Sequence, residues 1–208
     1  GPGNPMPVDG TVRTISSAQD LAHRIAVEGR KFVSSDADFN DLVLGQAAAD
    51  ATTPTFLLRN PPDSGMVMLP LFVSLNQSGP VATTAVDIIV VMDMDDRYST
   101  GGTNEGSLSN RPRLGRSAQG QLWSNATAFA ATATRHKRLS GITTGQDVSP
   151  AEGALQEYLW TPTSVMDVID PGASLLIYVY GTSGTAPSVF WSVAWAEVPP
   201  SWLVYLEE

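Results

Sequence analysis

The side chains of this 208-residue chain that could support chemistry are few, and their densest group is acidic. Asp93, Asp95 and Asp96 follow an apolar run, and carboxylates at the end of a strand are suitable ligands for a hard cation such as calcium. Their spacing lacks the glycine-containing loop and the terminal glutamate of an EF-hand. We therefore interpret them as a polar strand end, keep them as weak metal candidates, and predict no metal and no cofactor.

No complete catalytic motif is found in the sequence. It contains no Gly-x-Ser-x-Gly elbow, phosphate-binding loop, dinucleotide fingerprint or zinc-binding His-Glu-x-x-His helix. The two imidazoles, His23 and His136, have no set of partner residues beside them, so we interpret both as solvated. The chain has no cysteine, which excludes thiolate nucleophiles and cysteine-ligated metals. We predict that the protein is not an enzyme.

Aromatic side chains offer a second kind of candidate site. The chain has five tryptophans, and an exposed indole ring can stack on a sugar or hold another ligand by its apolar face. Trp191 and Trp195 lie in the most apolar segment of the chain, so we assign them to a core or an interface. Trp123 and Trp160 have fewer apolar neighbours and are our weak ligand-binding candidates.

The overall charge limits the partners. A formal net charge of −9 disfavours nucleic acid as a partner, because its phosphates require lysine and arginine. The sequence contains no run of 18 apolar residues, so we predict no contact with a membrane. Positive charge is concentrated in residues 135–138 and in Arg111, Arg113 and Arg116. We interpret these arginines as solvated or as partners of neighbouring subunits.

One helix and many short strands must position these residues. Apolar residues at helical spacing, followed by Gly29, predict an amphipathic helix over residues 17–28. Short β-branched and aromatic runs separated by turn residues follow it. The predicted strands are residues 41–44, 55–59, 66–75, 84–94, 122–133, 157–160, 164–168, 174–180, 188–198 and 202–206. Residues 95–120 have almost no apolar content and predict a long surface loop.

This pattern predicts an all-β protein, an antiparallel jelly-roll-type β-sandwich with one short N-terminal helix. We divide the chain into an N-terminal arm and helix, residues 1–50, and a jelly-roll-like domain, residues 51–208.

Several predicted strands are apolar on both faces, which an isolated sandwich does not require. Their outer faces must be covered by the helix, by the long loop or by another subunit, because large exposed apolar patches are rare on monomers. We therefore predict a homo-oligomer. Its interface residues are expected to be Tyr178, Tyr180, Phe190, Ala194 and Val198.

Short phrases of the sequence resemble bacteriophage virion proteins with jelly-roll domains. The opening phrase, Phe56-Leu57-Leu58-Arg59-Asn60-Pro61, is followed by Ser64-Gly65 and an apolar strand. The segment Ser99-Thr100-Gly101-Gly102-Thr103 leads into a loop rich in asparagine and arginine. Two closing phrases, Ile169-Asp170-Pro171-Gly172 with its following strand and Trp195-Ala196-Glu197, are similar to the last strands of those proteins.

The resemblance covers roughly residues 55–198. It implies a capsid decoration, head-fibre or other capsid accessory protein, located in the virion and assembled in the host cytoplasm, with other capsid proteins as partners and a trimer as the expected oligomer. The alternative function is a carbohydrate- or receptor-binding module of the spike or adhesin type, on a virion or cell surface, with a host-surface glycan as partner.

Overall fold

The computed structural model describes residues 21–36, 42–78, 86–130, 136–144, 157–162, 167–181 and 186–203. Residues 21–27 form helix α1, and Pro112–Leu114 and Pro200–Trp202 form short 3₁₀ turns. The strands are β1 (Lys31–Ser35), β2 (Val43–Leu44), β3 (Phe56–Arg59), β4 (Val67–Ser78), β5 (Val86–Asp93), β6 (Tyr98–Thr100), β7 (Thr103–Glu105), β8 (Leu108–Ser109), β9 (Gln121–Ser124), β10 (Thr127–Ala128), β11 (His136–Thr144), β12 (Glu157–Trp160), β13 (Ser174–Gly181) and β14 (Ser188–Val198).

Helix α1 ends where its glycine allows a left-handed turn. Gly29 has a φ of +67°, and its N–H and that of Arg30 donate to the carbonyls of Ala26 (3.4 Å) and Ile25 (2.9 Å). This pair of bonds is the Schellman arrangement, which satisfies carbonyls at the end of a helix. The predicted end of the helix is confirmed, and its predicted start at residue 17 lies outside the described residues.

Two large antiparallel sheets form the body of the protein. Sheet I has the strand order β12-β4-β14-β1-β8, with β2 also paired to β14, and sheet II has the order β11-β5-β13-β3-β9-β7. A separate two-stranded ribbon joins β10 to β6. The prediction of an all-β antiparallel sandwich is therefore confirmed.

Eight longer strands pair in a nested way. β1 pairs with β14, β3 with β13, β4 with β12 and β5 with β11, so each pair encloses the next along the chain. Two further pairings, β4 with β14 and β5 with β13, join these hairpin-like pairs into the two sheets. The first and last strands of the nest are therefore neighbours in sheet I.

The main core lies between the sheets. Phe56 of sheet II and Trp191 of sheet I have their ring centroids 4.9 Å apart, and both belong to one cluster of buried side chains drawn from the two inner faces. Alternate residues of β14, namely Val189, Trp191, Val193 and Trp195, supply its inward face. This is the alternation that a pleated strand produces.

The outer face of sheet I is covered by the chain itself. Ala196 and Val198 of β14 are buried in a second apolar cluster to which α1 contributes Ile25. Trp202, from the C-terminal 3₁₀ turn, also packs there, and the guanidinium of Arg24 lies 3.8 Å from its ring centroid. The predicted cover over an apolar outer face is therefore present, and on this sheet the helix provides part of it.

Three sequence-based assignments differ from the structure. The sandwich includes β1 and β2, which lie within residues 1–50 that we had assigned to an arm and helix, because both strands pair with β14. Residues 200–202 form a 3₁₀ turn where a strand over 202–206 was predicted, and residues 204–208 lie outside the described residues. Within residues 164–168, only 167 and 168 are described, and they are not in a strand.

The prediction that residues 95–120 form an irregular loop is wrong, although most of residues 100–117 are exposed at the surface as predicted. This segment contains β6, β7 and β8, which pair with β10, β9 and β1. Its end is fixed by Glu197, whose buried carboxylate accepts the N–H groups of Gln119 (2.9 Å) and Gly120 (2.8 Å) and the indole N–H of Trp195 (2.9 Å). The low apolar content of this segment led to the prediction of a loop. The segment is instead attached by backbone pairing and by one buried carboxylate, which composition does not show.

Candidate binding surface on the outer face of sheet II

The outer face of sheet II carries most of the polar and aromatic candidates. The strand register places Asp93, Ser174, Arg59 and Gln121 in one row across β5, β13, β3 and β9. The adjacent row, two residues along each strand, is Val91, Leu176, Leu57 and Trp123. A charged row therefore lies beside an apolar row, and both are on the side of the sheet away from the main core.

A buried ion pair occupies one end of the charged row. Asp93 and Arg97 have side chains that are 0% and 3% exposed, with Nε and Oδ2 3.6 Å apart. The hydroxyl of Ser174 accepts the backbone N–H of Arg97 (3.0 Å) and donates to the carbonyl of Asp95 (3.1 Å). These contacts hold the chain after β5 against β13, which is a structural role for Asp93.

The acidic metal candidates are separated by this arrangement. Asp96 forms an ion pair with Arg59, whereas Asp93 pairs with Arg97, and Asp95 contributes its N–H to a 2.9 Å bond with Asp93 Oδ1. In the described part of the chain, no group of three or more histidine, cysteine, aspartate or glutamate residues is placed to hold a metal ion. The structure therefore does not bring Asp93, Asp95 and Asp96 together as a set of cation ligands.

Trp123 belongs to a half-exposed aromatic stack. The rings of Trp123 and Tyr98 have centroids 4.5 Å apart and an interplanar angle of 29°. The guanidinium of Arg59 lies 5.1 Å from the Tyr98 centroid. The side-chain carbonyl of Gln121 accepts from the indole N–H of Trp123 and from Arg59 Nη1, each at 3.4 Å. A flat aromatic surface with amide and guanidinium groups at its border offers an apolar face together with hydrogen-bond donors and acceptors.

Trp160 does not share this surface. It is 7% exposed and belongs to the core between the two sheets, since the side chains of β12 alternate between core and solvent. The sequence suggested exposure because Trp160 has fewer apolar neighbours in the chain than Trp191 and Trp195. Trp160 is therefore corrected from a ligand-binding candidate to a core residue.

A groove opens on the same face of sheet II, at β5 and β13. It has a volume of about 320 Å³ and is lined by Ala49, Asp50, Ala51, Ile89, Val91, Tyr178 and Tyr180. The hydroxyl of Tyr178 donates to the carbonyl of Ala51 (2.9 Å) and so fixes one wall. Burial is the main cause that raises the pKa of Tyr178 to about 12, so the hydroxyl keeps its proton at neutral pH.

Two carboxylates flank this groove. Asp50 accepts the N–H and the hydroxyl of Thr52, each at 2.8 Å, and these bonds hold the pKa of Asp50 below its usual range. Asp87 is the cross-strand partner of Tyr180, and its Oδ1 atom is enclosed without a hydrogen-bond partner. The groove therefore combines an apolar lining with negative charge.

The predicted interface residues have different environments. Tyr178 (6% exposed), Ala194 (1%) and Val198 (0%) are buried within a single chain, so they offer little surface to a second copy. Tyr180 and Phe190 are half-buried and can still contribute to a contact. The two-faced pattern correctly predicted that these faces are covered, but much of the cover comes from the same chain.

The groove was not found by sequence reasoning. Its wall at residues 49–51 is part of a short alanine-rich segment, residues 47–51, which read Ala-Ala-Ala-Asp-Ala and match no motif. The pair Tyr178 and Tyr180, at alternate positions of one strand, was the available signal for a shared face. Their common groove depends on a segment more than 120 residues earlier in the chain, which no local pattern indicates.

Comparisons with known proteins add no family to this description. No protein-family model matches the chain, and no curated protein matches it in sequence. In the part of the chain that the structure describes, no helix is long and apolar enough to cross a membrane.

Proposed function

We propose that the protein is a non-enzymatic virion structural protein with a jelly-roll fold, a self-associating capsid decoration or other capsid component. The observation that carries this proposal is the nested pairing of β1 with β14, β3 with β13, β4 with β12 and β5 with β11 across two sheets. Eight strands in two sheets are the arrangement of the jelly roll, which recurs in viral capsid and lectin domains.

Two of the phrases that resemble phage virion proteins, residues 56–61 and 169–172, are hydrogen-bonded to each other in this fold, which supports the proposal. The side-chain amide of Asn60 donates to the carbonyls of Met66 and Ile169, each at 2.8 Å. The Asn60 carbonyl accepts from Gly172 (2.8 Å), and its N–H donates to Ala173 (3.0 Å). The opening and closing phrases are therefore bonded to each other through Asn60. Their joint occurrence has a structural reason, which favours a shared fold over coincidence.

The location can be tested in particles. Virions purified by density gradient from the source culture should contain this chain at the stoichiometry of a structural protein, measured by quantitative mass spectrometry. Immunogold labelling of intact particles would then place it on the capsid, head fibre or spike. Recovery of the chain from the lysate but not from the particles would contradict the proposal.

Self-association can be tested with the isolated protein. Multi-angle light scattering after gel filtration should give a multiple of the 22.1 kDa chain mass, with a trimer expected at micromolar concentration. A monomer over the whole accessible concentration range would contradict the self-association part of the proposal.

A second candidate function, glycan binding, is favoured by the stack of Tyr98 on Trp123 with Gln121 and Arg59 at its border. A glycan array should show binding that Trp123→Ala weakens at least about fivefold and Trp123→Phe largely retains, because stacking on one aromatic ring contributes on the order of 1 kcal/mol. Leu159→Ser, at an exposed position on β12, is the matched surface control. Binding that Trp123→Ala leaves unchanged would reject this site.

A further inference from the structure

The arginine segment after β8 is a projecting surface with an apolar residue in its middle. Residues 111–116 read Arg-Pro-Arg-Leu-Gly-Arg and are all exposed. Leu114, in the middle of this segment, is 50% exposed. Arg111 donates to the carbonyl of Val27 at the end of α1, and Gly115 continues the 3₁₀ turn by donating to Pro112 (3.0 Å). We call residues 111–116 the arginine loop.

The groove on sheet II is concave and carries negative charge, whereas the arginine loop projects and carries positive charge. Its lining is apolar at Ile89, Val91 and Tyr178, and Asp50 lies at its edge. Asp87 is the cross-strand partner of Tyr180, which lines the groove, and it adds negative charge near that end. An apolar side chain flanked by cations is the group that such a groove accommodates, and the arginine loop presents one.

The loop and the groove lie on different sides of the molecule. The arginine loop follows β8, the edge strand of sheet I next to β1, whereas the groove is on the outer face of sheet II at β5 and β13. A contact between them must therefore join two copies head to tail. Repetition of such a contact generates a ring when its rotation closes.

We propose that the arginine loop of one copy docks in the sheet II groove of the next, with Leu114 in the apolar groove and Arg113 and Arg116 beside Asp50, the exposed carboxylate of its lining. This inference rests on the self-association stated under the proposed function, and it adds which surfaces meet. A specific interface buries at least about 1,000 Å² in total, so the loop and groove form its anchor and the surrounding surface supplies the rest.

The experiment uses two variants that each destroy one half of the contact. R113E/R116E reverses the charge of the loop at two exposed positions. A49R places bulk and positive charge in the groove from another exposed position. A47R adds the same side chain at an exposed position outside the groove lining and is the matched control. Circular dichroism and thermal melting check that every variant is folded.

Light scattering should show the wild type and A47R as oligomers, and R113E/R116E and A49R each as monomers. An equimolar mixture of the two monomeric variants should form a 1:1 pair that grows no further, because each retains the half that the other lacks. Loss of either half should weaken association at least about tenfold.

The contrary outcomes are distinguishable. If both variants remain oligomeric like the wild type, self-association stands but this contact is rejected. If both are monomeric but the mixture forms no pair, the head-to-tail arrangement is rejected. If the wild type itself is a monomer at every concentration, the docking inference and the self-association of the proposed function both fail.

Discussion

The apolar outer faces of sheets I and II are both covered, but by groups of different chemistry. On sheet I, the cover is apolar: α1 and the C-terminal turn pack on Ala196 and Val198. On sheet II, short strands and turns provide the cover, and it includes the buried pair Asp93–Arg97 and an open groove. Apolar residues on both faces of a strand therefore indicate only that the outer face is covered. They do not indicate what covers it.

The difference has an energetic consequence. An apolar cover tolerates small truncations, since each lost methylene costs about 1 kcal/mol. A buried ion pair tolerates the loss of neither partner, because the remaining charge stays in a poorly solvated site. Sheet II should therefore be the more sensitive face to conservative substitution, although its groove makes it the more open one.

The largest effect is expected for Asp93→Asn. This substitution leaves the Arg97 guanidinium, 3% exposed, without its counter-charge, and should lower the free energy of unfolding by about 3–5 kcal/mol. Urea unfolding followed by tryptophan fluorescence measures it. The matched control is Asp96→Asn, because the Asp96–Arg59 pair is 19% exposed on each side and should contribute at most about 1 kcal/mol. Equal losses in the two variants would remove the distinction between buried and accessible pairs.

A second effect on sheet II depends on pH. Because the pKa of Tyr178 is about 12 in the folded state, the folded protein keeps this proton up to about pH 12, whereas the unfolded chain releases it near the ordinary tyrosine pKa of 10.0. Ionisation of Tyr178 therefore does not affect the free energy of unfolding below pH 10. Between pH 10 and 12 it lowers that free energy by about 3 kcal/mol in total.

Tyr178→Phe should remove this part of the alkaline decline. At neutral pH it should cost only about 1 kcal/mol, for the lost hydrogen bond to Ala51. Thermal melting from pH 8 to 11.5 measures both, with Tyr98→Phe as the control that retains the decline. A Tyr178→Phe curve parallel to that of the wild type would contradict the assigned cause.

The smallest effect is expected on sheet I. Ile25→Ala removes a partly buried contact between α1 and the sheet and should cost about 1 kcal/mol, because the side chain is only partly enclosed. Val27→Ala, on the same helix but 45% exposed, should change stability by less than about 0.5 kcal/mol. A loss of several kcal/mol from Ile25→Ala would show that the helix is as critical to sheet I as the ion pair is to sheet II.

Several features of this protein are determined by its sequence alone. The all-β class, the helix ending at Gly29 and the inward row of β14 follow from local patterns, because side-chain alternation and turn chemistry act over a few residues. β12 and β14 were predicted with their observed bounds, Glu157–Trp160 and Ser188–Val198.

The candidate site was decided by tertiary structure. Trp123 and Trp160 look alike in sequence, yet one stacks on Tyr98 at the surface and the other fills the core. Asp93 and Asp96 are near neighbours in the chain, but each has a different arginine as its partner. β11, which was not predicted, is identified by its pairing with β5. These outcomes depend on contacts between residues distant in sequence, which only the nested pairing of the strands brings together.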